Sequence, residues 1–170
     1  QLTGVDGLRG LANVREIRLE RCRALTNVDG LSGLRNLRIL NVNFCGKLGD
    51  VDGLAGLSSL RRLYANACPK LGNLNGLKGC TKLRYVSVFG GDHLCSIEGL
   101  RGLAKIQELN LSDCDQLTDV DALKGLQSLE VLNLKHCDRL TNVDGLQGLC
   151  RLTAVLLDDC GQLTTVDGLG

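Results

Sequence analysis

Leucine recurs every 23 residues, at Leu2, Leu25, Leu48, Leu71, Leu94, Leu117, Leu140 and Leu163, with no insertion or deletion between them. Self-similarity at a period of about 20 to 50 residues marks a repeat solenoid, whose units cannot bury their apolar faces alone and must stack. The chain is therefore expected to be a single array over residues 1–170, with seven complete units from residue 2 and a partial eighth. It starts one residue before a unit and stops eight residues into another. Neither end carries a polar capping unit, so the expectation is an excerpt of a longer chain.

Aligned, the units read Leu-Thr-x-Val-Asp-Gly-Leu-x-Gly-Leu-x-x-Leu-x-x-Leu-x-Leu-x-x-Cys-x-x. In the second unit the apolar positions are Leu25, Val28, Leu31, Leu34, Leu37, Leu40 and Val42, and the same columns stay apolar throughout, with Cys80 replacing one leucine. Leu37-x-x-Leu40-x-Val42 ends in a period-two alternation, which predicts a short strand with one buried face. Leu31-x-x-Leu34-x-x-Leu37 repeats every three residues, which suits a 3₁₀ turn. An acidic column (Asp6, Asp29, Asp52, Glu98, Asp121, Asp144 and Asp167, with Asn75 as its neutral member) sits just before that turn. It is expected to cap the free backbone N–H groups there. Glycine fills another column from Gly10 to Gly148, which suggests positive φ or close approach between coils.

The Leu-x-x-Leu-x-Leu-x-x-Cys core, seen as Leu37 to Cys45 and again as Leu129 to Cys137, resembles the leucine-rich repeat family. The Leu-Thr-x-Val-Asp-Gly-Leu half is similar to the short segment of internalin-type repeats. Cysteine, where those proteins usually carry asparagine, is similar to cysteine-containing repeats of trypanosomatid and other protist proteins. The resemblance covers the whole chain. It implies a curved right-handed superhelix with a concave parallel β-sheet, short turn or 3₁₀ segments on the convex side, and protein binding on the concave face.

A formal net charge of +1 implies no bulk attraction to DNA or to an anionic membrane, and no apolar stretch is long enough to span a bilayer. Six cysteines (Cys22, Cys45, Cys68, Cys114, Cys137 and Cys160) share one column, which Gly91 interrupts. Stacked coils hold such thiols about 4.8 Å apart on a line, an arrangement that gives no tetrahedral metal site and disfavours disulfides. The expectation is buried thiols donating weakly to loop carbonyls, with no metal and no cofactor. Free thiols favour a reducing, cytoplasmic compartment over secretion.

No catalytic constellation emerges, so the chain is not expected to be an enzyme. His93 lies near Cys95 and His136 precedes Cys137, but Cys137 belongs to the buried column, and a nucleophilic thiolate must be accessible to its base. The acidic column could be imagined as a calcium ladder, yet the glycine-aspartate nonapeptide pattern of calcium-binding β-rolls is missing.

Residues alternating with the buried strand positions carry the information. All four aromatic residues of the chain, Phe44, Tyr64, Tyr85 and Phe89, fall in this outward set, in three consecutive units. Arg18, Arg38, Arg61, Arg62 and Arg84 lie in it too, and aromatics and arginine are enriched at binding hot spots. Arg21 and Phe44 follow strand ends, where the chain turns toward the rim. Seven outward arginines belong to the first four units, whereas the last three carry five acids against Lys135. These residues point to a module that binds another protein on its concave face. Two alternatives compete: a scaffold segment of a larger complex held by its ends or convex side, and the substrate-recognition part of a larger enzyme such as a ubiquitin ligase. Single-stranded nucleic acid could stack on the tyrosines, but the acidic second half opposes it.

Overall fold

The computed structural model describes residues 1–170 and shows a solenoid of seven coils. Each coil contributes one three-residue strand: β1 Glu16–Arg18, β2 Ile39–Asn41, β3 Arg62–Tyr64, β4 Tyr85–Ser87, β5 Glu108–Asn110, β6 Val131–Asn133 and β7 Ala154–Leu156. They form one open parallel sheet in chain order. The register follows the sequence period, so Leu40 lies beside Leu63 and Leu63 beside Val86. Opposite each strand the Asp-Gly-Leu tripeptide, or its variants at Asn75–Leu77, Glu98–Leu100 and Asp121–Leu123, makes a 3₁₀ turn, from Asp6–Leu8 to Asp167–Leu169. The three-residue spacing of leucines before the strand thus belongs to a chain of tight turns, each N–H bonded three residues back, as in Leu57 to Leu54 and Leu60 to Leu57.

The inward columns form one continuous core from Val5 to Leu149. Leu25, Leu48 and Leu71 are wholly buried, whereas Leu2 in the same column is 45% exposed because its coil has a neighbour on one side only. Burial in this fold is a property of stacking, as expected for an array whose stability comes from nearest-neighbour interfaces.

The cysteine column follows its expectation. The thiol of Cys68 donates to the Val42 carbonyl at 3.2 Å, and Cys45, Cys114 and Cys137 donate at 3.2 Å to Leu19, Val88 and Leu111. Each bond crosses to the preceding coil and satisfies a carbonyl at the end of its strand. Burial pushes the thiols up, to about 12 for Cys45 and Cys137 and about 11 for Cys68 and Cys80. Cys95 and Cys150 are exposed. Brief alkylation of the native protein at neutral pH is expected to label Cys95 and Cys150 first and to spare Cys45, Cys68, Cys80, Cys114 and Cys137 until denaturant is added. Peptide mass mapping checks this, and rapid labelling of Cys114 in the native protein would contradict the packing.

Two sequence expectations change. The acidic column does not cap the turns: each turn is preceded by a valine, leucine or isoleucine whose side chain makes no capping bond, as at Val28 and Val51. The cap comes from one residue earlier. Asn27 accepts from the Asp29 N–H at 3.1 Å, Asp50 from Asp52 at 3.1 Å and Asn142 from Asp144 at 3.1 Å. The acids instead face solvent, where Asp6 pairs with Arg9 and Glu98 with Arg101, pairs worth little in water.

The glycine expectation also divides. The column containing Gly33 does take a positive φ, 85° there. Close approach belongs to the glycine of the 3₁₀ turn itself: a Cβ on Gly76 would stand 1.9 Å from the Val51 carbonyl oxygen of the preceding coil.

Candidate functional site

Successive strands bring the outward residues into rows. The row just before the strands reads Arg15, Arg38, Arg61, Arg84, then Gln107, Glu130 and Thr153. Its backbone is stitched coil to coil, with Arg38 N–H on the Arg15 carbonyl at 2.7 Å, Arg61 on Arg38 at 2.8 Å and Arg84 on Arg61 at 2.9 Å. The next row places Arg62 beside Tyr85 and Tyr85 beside Glu108. Tyr64 sits one row further, beside Ser87. Tyr64 and Tyr85 are therefore diagonal neighbours. Their ring centroids lie 5.0 Å apart at 40°, an attractive tilted geometry, and both rings are half-buried.

Around the tyrosines lies a hollow of about 460 Å³ whose walls include Arg61, Arg62, Arg84 and Glu108. A smaller hollow of about 230 Å³ shares Arg62 and Tyr64 with it and reaches Arg18 and Glu16. Together they make a trough that crosses the sheet from β1 to β5. Arg18 is tied to Glu16 at 2.6 Å, and that carboxylate holds its guanidinium pKa above the ordinary value. Arg38, Arg61, Arg62 and Arg84 are exposed and make no ion pair.

Just past β2 and β3 an asparagine network fixes the strand ends. The Asn43 side chain accepts from the Asn66 N–H at 2.8 Å. Asn66 in turn accepts from the Phe89 N–H at 3.0 Å and the Ser87 hydroxyl at 2.7 Å. Ser87 faces outward, as expected, yet only 2% of it is exposed, so it supports the surface rather than forming it.

Phe89 stands exposed on the row that follows Asn66. Phe44 is elsewhere. It adopts a left-handed φ of 61° after β2 and forms one wall of a separate hollow of about 580 Å³ with Arg23, Lys47, Pro69 and Asp92. The Arg21 guanidinium covers it at 5.6 Å from the ring centroid. The structure thus brings Tyr64, Tyr85, Arg61, Arg62 and Arg84 together and leaves Phe44 at the rim. The rim hollow escaped sequence reasoning, although its signal was present. Ala67 and Gly90 are small residues in the column that elsewhere holds Arg21, Phe44, Asp113 and His136.

At the acidic end of the sheet, Lys135 pairs with Asp158 at 2.9 Å and holds that carboxyl below its ordinary range. His136 Nδ1 lies 3.5 Å from Asp159, while the neighbouring Cys137 thiol is committed to the Leu111 carbonyl. The Cys95 thiol donates to the Gly72 carbonyl at 3.5 Å. No group of three His, Cys, Asp or Glu side chains is placed to hold a metal ion, and no helix is long and apolar enough to cross a membrane.

Family models described as leucine-rich repeats match residues 104–148 (two copies) and residues 33–55 (one copy). No curated protein matches the chain. Among solved structures, an internalin from Listeria monocytogenes has a TM-score of 0.71 at 20% identity, covering 94% of this chain and 52% of its own. Internalin C2 from the same organism has a TM-score of 0.65 at 24% identity, covering 92% and 76%. The leucine-rich repeat domain of the type III effector XopL has a TM-score of 0.64 at 22% identity, covering 91% and 56%. The chain spans about half the length of the first internalin, and at these identities the likeness is one of fold. Repeats of this kind generally mediate contacts between proteins. By its period, its parallel sheet and these matches, the chain is a solenoid of leucine-rich repeats.

Proposed function

We propose that the outward, concave face of the sheet binds a segment of another protein across β1–β5, with Tyr64 and Tyr85 as its apolar centre. The observation that carries this reading is the tyrosine pair itself. Two rings 5.0 Å apart, held from below by strands and flanked by arginines without carboxylate partners, supply contact area at little entropic cost. Arg38 extends the basic side of the face and Phe89 its aromatic side. The polarity of the sheet sets the partner's orientation: an acidic stretch over the first four coils and a basic one over the last three fit best. Binding here is recognition without chemistry.

The test compares proteins retained from native extract by the intact protein and by a Tyr64→Ala/Tyr85→Ala/Phe89→Ala variant whose circular dichroism is unchanged. Selective loss of a partner from the variant, by tenfold or more, is the expected result. Equal retention would remove the face from the mechanism and favour a scaffold held through its ends or convex side.

A further inference from the structure

The arginine row is costly to keep. Arg15, Arg38, Arg61 and Arg84 follow one another at a single register position, about 4.8 Å apart per coil, and like charges directly opposite one another destabilise a sheet. Three times elsewhere the chain pairs an arginine with a carboxylate: Arg9 with Asp6, Arg18 with Glu16 and Arg101 with Glu98. In the Tyr64–Tyr85 hollow it does not. Arg61, Arg62 and Arg84 converge there from two adjacent coils with no carboxylate within ion-pair reach, although Glu108 lines the far side of the same hollow. Three unpaired guanidiniums around one hollow form a site for a polyvalent anion.

We infer that Arg61, Arg62 and Arg84 bind the phosphate of a phosphorylated serine or threonine in the partner segment, and that Glu108 receives a basic residue of the same segment. This rests on the reading of the sheet face proposed above. A carboxylate offers two oxygens and one charge. A phosphate monoester offers three acceptor oxygens and about −1.5 to −2 charge, which matches three guanidinium forks. Tyr64 and Tyr85 close the hollow on its sheet side and pack against the aliphatic part of the ligand. The row then changes character to Gln107 and Glu130, so the face cannot follow a longer polyanion past the fifth coil. That change favours a phosphopeptide over a nucleic-acid strand.

The experiment offers the immobilised protein three peptide libraries with random flanks around a fixed phosphoserine, serine or glutamate, and reads bound peptides by mass spectrometry. The phosphoserine library is expected to be retained at least tenfold over both others, with lysine or arginine enriched on one side of the phosphoserine. An Arg61→Gln/Arg84→Gln variant with unchanged circular dichroism should fall to the level of the serine library. Glu108→Gln should keep the phosphoserine preference and lose the basic enrichment. Equal retention of phosphoserine and glutamate libraries overturns the phosphate assignment and leaves a protein partner standing. Tighter retention of a single-stranded RNA oligonucleotide than of any library overturns both.

Discussion

Raising the pH from 8 to about 10.5 under reducing conditions is expected to unfold the array, through its buried thiols rather than through any surface group. Cys45, Cys68, Cys80, Cys114 and Cys137 are wholly buried, and burial pushes every one of them up. In the unfolded chain a cysteine ionises near pH 8.5. The folded state therefore binds more protons than the unfolded one between that pH and the folded values of about 11 to 12. Stability must fall as pH rises across that window. The contribution is fully present below the unfolded value and lost as pH climbs toward the folded one.

The size of the effect follows from the number of thiols. Each loses about 1.4 kcal/mol per pH unit inside the window. For the five thiols together this is on the order of 7 kcal/mol per unit, comparable to the whole stability of an ordinary domain at about 5–15 kcal/mol. Urea midpoints measured at pH 7, 8, 9 and 10 should hold steady at first and then drop steeply. A Cys68→Ala/Cys114→Ala variant should be less stable at pH 7, because it loses two thiol–carbonyl bonds, yet show a shallower decline. An undiminished slope in that variant would place the titrating groups outside the ladder.

The period made the architecture legible, because a 23-residue register with fixed apolar columns leaves few ways to bury Leu25, Leu31, Leu37 and Leu40 together. The strands were legible from Leu37-x-x-Leu40-x-Val42, and the thiol ladder from the shared position of Cys45 and Cys68. The reason Asn27, not Asp29, caps the turn was less visible. Both are good capping residues, and only backbone geometry shows that the 3₁₀ turn begins at Asp29 and draws its cap from two residues back. The two glycine columns are equally alike on paper. One answers to φ and the other to a neighbouring carbonyl, and only the second depends on how tightly coils stack. On the sheet face, the sequence placed Tyr64 and Tyr85 outward in adjacent coils. That their rings meet, that Arg18 is occupied by Glu16 and that Ser87 is covered by its neighbours are consequences of register and side-chain reach.

Replacing the turn glycine by alanine in consecutive coils, as in Gly53→Ala/Gly76→Ala/Gly99→Ala, is expected to be the most damaging conservative change on the convex side. The added Cβ atoms would lie 2.2, 1.9 and 1.7 Å from the Val28, Val51 and Leu74 carbonyl oxygens, and backbone cannot rotate aside as a flexible side chain can. Overpacking costs typically about 1–3 kcal/mol per site. The native chain shows how such a strain is relieved. Ala122 occupies this position in the sixth coil, fully packed at 2% exposure. Beside it the convex rung is missing. Amide bonds join Thr26 to Thr3, Gly49 to Thr26, Gly72 to Gly49, Cys95 to Gly72, Thr141 to Thr118 and Thr164 to Thr141, at 2.9 to 3.3 Å, but Thr118 does not reach Cys95. The coil that carries the extra methyl is thus the one that lacks this rung, a hydrogen bond worth about 0.5–1.5 kcal/mol. Three in a row leave no tight interval to compensate, because each coil contacts only its neighbours. The triple variant should lose about 3–9 kcal/mol, read as a fall in the urea midpoint. Ala122→Gly supplies the converse: Thr118 should gain protection from amide exchange as the rung to Cys95 closes. A triple variant as stable as the parent, or an unprotected Thr118 amide in Ala122→Gly, would show that coil spacing is set by the sheet and not by the turn glycines.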